Sequence, residues 1–270
     1  MKLTRPHVRT GISLSCLLLS SATFIGAPFD CSAQEKVSYF NEDGKPVKEK
    51  TAVVLQQRLK LNDTTWEFNN YLITGPLYVS MRTSDEKGTI PNGRYISYTR
   101  KGNLDSLGQY RNGRKEGRWL VFTASGRALK ELTYADGKLI SHRDSTQMNE
   151  DEKKMTDSMT KGKAFMESEF ESEFPGGAPA WIQYLSGHER YPDRAVGLEI
   201  QGTAIVEFIV DKQGQVNPLD IFMAHSVEFS IDRESMRLIR ESPSWKPAEQ
   251  YGKKVNSYKK QPFVFKLTAK

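Results

Sequence analysis

The most regular pattern of apolar and polar positions in the chain runs through residues 203–211. Every second side chain there is apolar, at Ala204, Val206, Phe208 and Val210. The positions between them are mixed, so the alternation predicts a β-strand with one buried face and one half-exposed face. Residues 211–214 end in glycine and predict a hairpin turn, so a second strand is expected over Val216–Ala224.

Helical spacing on both sides of these strands completes the C-terminal part. Apolar residues three and four positions apart predict a short helix over Ala178–Leu185, and a second short helix is predicted over Asp193–Val196, after Tyr191-Pro192. A third helix is predicted to begin at Ser230 as its N-cap and to end before Pro243. Its inner face is expected to carry Ile231, Ser235, Leu238 and Ile239. A last strand region over Lys253–Leu267 gives the order helix, strand, strand, helix, strand.

The first half of the chain repeats an aromatic residue followed four positions later by glycine. The four copies are Phe40/Gly44, Tyr71/Gly75, Tyr98/Gly102 and Phe122/Gly126. The last two copies align over a longer stretch, with the second glycine 24 positions after the first. Each unit combines a β-prone run with a glycine turn and predicts a β-hairpin. Because one hairpin alone is marginally stable, the copies are expected to stack as a meander.

The first 33 residues have the pattern of a secretory signal. A positively charged start is followed by an apolar stretch over Ile12–Ile25, and small residues precede a cleavage point before Gln34. Two alternatives stay open, an uncleaved membrane anchor and a lipoprotein signal at Cys16 or Cys31. Both cysteines lie in this segment, so a cleaved protein would have no disulfide and no cysteine metal site.

The composition and net charge argue against a nucleic-acid-binding function. The formal charge is +6 for the 270 residues, and cleavage would reduce it to about +4, from 36 basic and 32 acidic residues. That excess is too small to predict a nucleic-acid partner. Residues 141–172 are polar and highly charged, and we interpret them as a partly helical linker.

The repeats are similar to a known family. The run Tyr110-Arg111-Asn112-Gly113-Arg114-Lys115-Glu116-Gly117-Arg118-Trp119 resembles the MORN-like repeats of bacterial envelope proteins. The resemblance covers residues 71–140 and, more weakly, 38–70. It implies a β-meander that is used for contacts and not for catalysis.

The C-terminal part carries a second resemblance, on six spaced motifs. They are Phe174-Pro175-Gly176-Gly177, Tyr191-Pro192-x-x-Ala195, Ile200-Gln201-Gly202-Thr203, Val206-x-Phe208-x-Val210-Asp211-x-x-Gly214, Ile231-Asp232-x-Glu234-Ser235-x-Arg237-x-Ile239 and Trp245-Lys246-Pro247-Ala248. Over residues 174–267 these motifs resemble the C-terminal domain of TonB, the energy transducer of Gram-negative bacteria.

The two resemblances give an α+β protein with four segments. A signal peptide (1–33) precedes an antiparallel β-meander of MORN-like hairpin repeats (34–140) and the charged linker (141–172). The last segment (173–270) is a TonB-like domain of α-β-β-α-β order, with helices on one face of an antiparallel sheet.

The TonB resemblance implies a periplasmic protein that docks outer-membrane transporters or other envelope proteins. In that family an extended partner segment adds as a strand to the edge of the domain's sheet. We predict the receiving edge over Tyr258–Phe265, where Pro262 interrupts the backbone donors as is typical of edge strands. The predicted contact residues are Tyr258, Lys259, Lys260, Gln261, Phe263 and Phe265.

The end of the chain is strongly basic, with six lysines and no acid after Glu249. Two interpretations stay open. The lysines attract an acidic partner segment, or they protect the edge strand against aggregation.

Energy coupling is a separate question from docking. A transducer that resembles TonB needs an uncleaved anchor beside an inner-membrane motor and a long spacer that is usually proline-rich. The motor is therefore an expected partner only if residues 1–33 are retained, and no proline-rich spacer is present. The alternative function is an envelope scaffold that binds proteins without coupling energy.

Enzymatic function has little support in the sequence. The histidines His142, His188 and His225 are isolated, and no metal-ligand spacing or nucleophile motif appears. Glu207 and Asp211 share a strand face but lack other catalytic support. A hydrolase hidden in the repeats is the remaining enzymatic hypothesis, and we predict a non-enzymatic protein without cofactor or metal.

Overall fold

The computed structural model describes residues 35–150 and 170–267. The predicted signal peptide lies outside the described residues, as does most of the predicted linker. Neither prediction is tested by the fold.

The N-terminal part is a nine-stranded antiparallel sheet in which every strand pairs with its neighbours in sequence. We call this sheet the meander. Its strands are β1 (Glu35–Phe40), β2 (Val54–Asn62), β3 (Thr65–Leu72), β4 (Leu77–Thr83), β5 (Pro91–Tyr98), β6 (Leu104–Arg111), β7 (Arg114–Phe122), β8 (Ala128–Ala135) and β9 (Lys138–Asp144). The predicted stacking of hairpins into a meander is confirmed, whereas the MORN-like resemblance stays a prediction.

The repeat explains the packing on one face of the meander. Tyr95 and Trp119 are 24 positions apart, and their ring centroids are 5.4 Å apart. Trp119 lies flat on Gly108, where an added Cβ would be 2.2 Å from the indole ring. The ammonium group of Lys115 lies 4.3 Å from the Trp119 ring centroid, a favourable cation–π contact. Glycine at position 108 is therefore required by the indole above it.

The C-terminal part combines three helices with two small sheets. The helices are α1 (Gly177–His188), α2 (Asp193–Gly197) and α3 (Phe229–Arg240). The strands are β10 (Gly202–Val210), β11 (Phe222–His225), β12 (Ala248–Gln250), β13 (Lys253–Val255) and β14 (Ser257–Phe265). Strands β11, β10 and β14, in that order, form the C-terminal sheet, while β12 and β13 pair separately. This is the predicted α+β architecture.

Two local predictions were wrong. The second strand was expected over Val216–Ala224, but β11 covers only Phe222–His225. Residues 218–220 form a 3-10 turn instead, because Asn217 accepts a hydrogen bond from the backbone of Leu219 and proline follows it. The N-cap of α3 is Glu228 and not Ser230, since the Glu228 carboxylate accepts the Ser230 N–H at 2.8 Å.

The meander and the C-terminal part share one hydrophobic core. The predicted buried face of β10 is fully enclosed, and it meets the inner face of α3 as expected. Meander residues such as Leu55, Tyr71 and Ile96 belong to the same cluster. Tyr71 contacts Phe229 of α3 edge to face, with ring centroids 5.4 Å apart. The repeats are therefore packed against the C-terminal part by apolar burial.

The stretch that was interpreted as a linker is partly ordered where it is described. Strand β9 continues to Asp144, and residues 145–150 are helical. Phe170 and Glu173 form bridges to Glu249 and Lys246 respectively, so this segment is paired before α1 begins.

Candidate functional site

Strand β14 lies at one edge of the C-terminal sheet. It pairs along its whole length with β10, from Ser257 opposite Val210 to Phe265 opposite Gly202. No other described strand pairs with it. An edge strand of this length presents a row of backbone donors and acceptors to any segment that can add beside it.

Pro262 determines which backbone groups of β14 face outward. It stands opposite Ile205, and because it has no N–H, this pair cannot exchange hydrogen bonds. The strand has a period of two, so Tyr258, Lys260 and Val264 also direct their N–H and C=O groups away from β10. The Pro262 carbonyl accepts a hydrogen bond from the Gln261 side chain at 2.8 Å.

The six predicted contact residues of β14 divide between the two faces of the strand. Tyr258 is 72% exposed, and Lys260 lies on the same face. Phe263 and Phe265 are each 2% exposed and belong to the core, so only their backbone is accessible. Lys259 and Gln261 are half-buried on the core side.

Val264 is an exposed apolar residue that the sequence interpretation omitted, and it is 54% exposed beside the free edge. The alternation along Tyr258–Phe265 could have identified it. Once Phe263 and Phe265 are assigned to the core, the residue between them must face solvent.

The charges on β14 are partly neutralised within the chain. The Lys260 ammonium lies 3.3 Å from the Glu207 carboxylate on β10, and Lys259 lies 3.8 Å from Glu171. Such exposed pairs contribute little to stability. These two lysines are thus less available to an acidic partner than their sequence suggests.

The opposite edge of the same sheet is covered by the meander. Three side chains of β4 and β5 donate hydrogen bonds to alternate carbonyls that lead into and along β11. Arg82 donates to Leu219, Arg94 to Ile221 at 3.1 Å and Tyr98 to Met223 at 2.9 Å. The Ile221 and Met223 carbonyls are alternate groups of an extended chain and face the same side, so the donors to them replace a neighbouring strand. We call Arg82, Arg94 and Tyr98 the β11 cap.

The turn after β5 extends this contact to the end of β11. The Gly102 carbonyl accepts the Ser226 N–H at 2.9 Å, and Asn103 forms a bridge to His225. The imidazole Nδ1 of His225 is 2.8 Å from the Asn103 amide oxygen. Burial lowers the pKa of His225, which favours the neutral ring at this contact.

A buried carboxylate holds the β11 cap in place. Glu67 lies 3.0 Å from Arg82 and 3.3 Å from Arg94. Burial raises the pKa of Glu67, but the two guanidinium groups outweigh it and hold the pKa below its usual value. Because the Glu67 carboxylate supplies a shared buried counter-charge, both arginines can be largely buried while donating to carbonyls of the C-terminal part.

A second buried acid lies where the meander meets α3. The Ser226 hydroxyl donates to Asp232 and accepts the Leu77 N–H at 2.8 Å, while the Val227 N–H donates to Asp232 at 2.9 Å. Burial raises the pKa of Asp232 to about 7, and the hydrogen bonds from Ser226 and Val227 offset only part of this effect. The Tyr71 hydroxyl nearby is buried without a hydrogen-bond partner.

Residues 35–150 and 170–267 contain no cluster of three or more side chains that could hold a metal ion. Within the same ranges no helix is long and apolar enough to cross a bilayer.

Comparison with known families identifies the C-terminal part. Residues 187–267 match the family described as Gram-negative bacterial TonB protein C-terminal. The match begins near the end of α1 and includes the whole C-terminal sheet. A search of curated proteins and a search of solved structures both gave no match. The family match confirms the TonB resemblance and indicates a TonB-like protein of the Gram-negative envelope.

Proposed function

We propose that this TonB-like envelope protein docks partner proteins by strand addition at the free edge of β14. The partners are outer-membrane transporters or other proteins of the envelope, in the periplasm. An extended partner segment would pair with the outward backbone groups of Tyr258, Lys260 and Val264. Strand addition gives affinity through main-chain hydrogen bonds and specificity through alternate side chains.

This proposal rests on a difference between the two edges of the C-terminal sheet, of which one is covered and the other is free among the described strands. The β11 edge is occupied by the β11 cap and by Gly102, whereas β14 pairs on one side alone among the described strands. Addition is thereby directed to one strand, next to the exposed side chains of Tyr258 and Val264.

The first candidate includes docking in energy-coupled transport. The second is an envelope scaffold that docks proteins without energy coupling. The packing of the meander favours it, because the repeats lie against β11 and α3 and do not form a separate spacer. The N-terminus of the protein isolated from cells separates the two candidates. Retention of residues 1–33 in the inner membrane supports coupling, and a start at Gln34 supports the scaffold.

Lys260→Pro tests the docking edge. The Lys260 N–H faces away from β10, so the proline removes one outward donor and leaves the ladder to β10 intact. One lost hydrogen bond should weaken a bound segment by about 2- to 12-fold. The measurement is calorimetric titration with peptides from the periplasmic segments of outer-membrane transporters.

The matched control is Lys260→Val, which removes the charge but keeps the N–H. It should bind nearly as well as the natural chain if the backbone carries the affinity. Equal weakening by both substitutions would assign the effect to charge. Unchanged binding by Lys260→Pro would exclude this edge as the docking site.

A further inference from the structure

A cavity of about 790 Å³ lies at the β7–β9 end of the meander. The described residues that line it come from β7, β8, β9, the β7–β8 turn and the short helical stretch at 145–150. Asp144 fixes that stretch to the end of β9, because its carboxylate accepts the Gln147 N–H at 3.0 Å. The volume lies in the range of small-molecule sites, about 300 to 1,000 Å³.

The charged side chains at this cavity are mainly basic. Among the described residues that line it, Arg118, Arg127 and Arg143 accompany one acid, Glu131. Glu131 is 7% exposed and pairs with both Arg118, at 2.6 Å, and Arg143. Burial raises the pKa of Glu131, but the hydrogen bonds from these two guanidinium groups outweigh it and hold the pKa below its usual value. Two arginines therefore share one carboxylate, and Arg127 adds further positive charge.

The same face of the meander carries a comparable cluster where the C-terminal part packs. Arg94 and Arg118 are equivalent in the repeat, 24 residues apart, and the register of β5, β6 and β7 places them on one face. Each pairs with a buried glutamate, Glu67 or Glu131, that also pairs with a second arginine. Arg94 in addition donates to the Ile221 carbonyl. Among the described residues, Arg118 is hydrogen-bonded to Glu131 alone.

We propose that this cavity binds a small organic oxyanion, a phosphate ester or a carboxylate, through Arg118 and Arg127. Guanidinium groups bind both kinds of oxyanion with paired, charge-assisted hydrogen bonds. Glu131 holds the Arg118 guanidinium by accepting from its Nε, which leaves the terminal nitrogens for the ligand. The carbon part of the ligand would lie against Leu129, which is 40% exposed, and Met148. The site does not depend on docking at β14, because no described residue of that strand lines the cavity.

Nuclear magnetic resonance of the full chain tests the location of the site. The probes are glycerol 3-phosphate and succinate, and the controls are glycerol and sodium chloride at matched ionic strength. The probes should shift the amide signals of Thr123, Ser125 and Arg127, whereas the controls should leave them in place. A response to one probe alone supports the site and identifies the oxyanion that it takes. No shift of these signals with either probe, or equal shifts with sodium chloride, would overturn the proposal.

Arg127→Gln tests the role of the arginines, because it removes a guanidinium from an exposed turn and leaves both pairs of Glu131 intact. Losing a hydrogen bond to a charged group should weaken binding of the responding probe by about 10- to 150-fold. The matched control is Arg100→Gln, which removes an exposed arginine from the β5–β6 turn and should bind as the natural chain does.

The remaining amide signals report whether each variant is folded. Unchanged binding by Arg127→Gln would exclude the cavity as the site. Equal weakening by both variants would assign the binding to net charge without a defined site, and would also overturn the proposal.

Discussion

Single residues determine which backbone groups are exposed at the edge of the C-terminal sheet and where α3 begins. Pro262 fixes the outward side of β14 because its missing N–H cannot face β10. Glu228 caps α3 in place of the expected Ser230. Its side chain is fully buried, and the Arg194 guanidinium, 2.6 Å away, holds the carboxylate in position at the start of the helix. Sequence reasoning found the residue types that occur at helix starts but could not see this long-range ion pair.

Asp232 should make stability depend on pH. Its pKa is about 7 in the folded chain, against 3.8 as the ordinary value, so the folded state holds the proton more tightly. Its contribution to the free energy of unfolding is complete below about pH 4 and is lost as the pH rises to about 7. The loss should be of the order of 4 kcal/mol.

Asp232→Asn removes this titration, and urea denaturation between about pH 4 and 8 measures it. The difference in free energy of unfolding between the natural chain and the variant should change with pH in that window. A constant difference would mean that the Asp232 carboxyl keeps its ordinary pKa when folded.

At the scale of helices and strands, the spacing of apolar residues correctly predicted the elements whose buried face is set by the local sequence. The alternation through β10 and the inner face of α3 were correct, because each is set by apolar residues at a fixed spacing. The length of β11 was wrong because a cap at Asn217 and the following Pro218 form a local turn. The β11 cap was not predicted, since arginine and tyrosine donors to distant carbonyls leave no periodic signal.

The contact between the β5–β6 turn and β11 can be isolated by comparing two glycines of the repeat. Gly102 and Gly126 both have φ of +81°, but a Cβ would lie 1.9 Å from the Ser226 carbonyl oxygen at Gly102 and meet nothing at Gly126. Gly126→Ala should cost about 1–2 kcal/mol from backbone strain alone. Gly102→Ala should cost about 1–3 kcal/mol more.

Urea denaturation of both alanine variants measures the difference in their free energies of unfolding. The Gly126→Ala variant is the control for positive φ. Equal losses would show that the turn does not press against Ser226 in solution.

At the scale of the whole molecule, the shared core predicts that the meander and the C-terminal part unfold together. Leu55, Tyr71 and Ile96 pack in the same cluster as β10, and Arg82 and Arg94 of the meander donate hydrogen bonds to carbonyls of the C-terminal part. Hydrogen exchange across a urea series should therefore give one midpoint for peptides from β2–β5 and from β10. Gly102→Ala should lower both midpoints equally, whereas two separate midpoints would contradict a single cooperative unit.

The sequence identified both parts of the chain but not how they join. Each part has its own repeat or motif, whereas the contact between them depends on Glu67 pairing with two arginines and on Ser226 linking Leu77 to Asp232. For the same reason the free edge at β14 could be located from Pro262, but its selection over β11 could not.

The long ladder between β10 and β14 also has a mechanical consequence. If a partner strand bound to β14 is pulled along the strand direction, the force acts in shear on all nine residue pairs between β10 and β14. These pairs would then have to break at the same time. A force at right angles to the strands would instead break the residue pairs one after another. Because the meander holds β11 at the opposite edge, the C-terminal sheet should resist a pulling force along its strands far better than one across them.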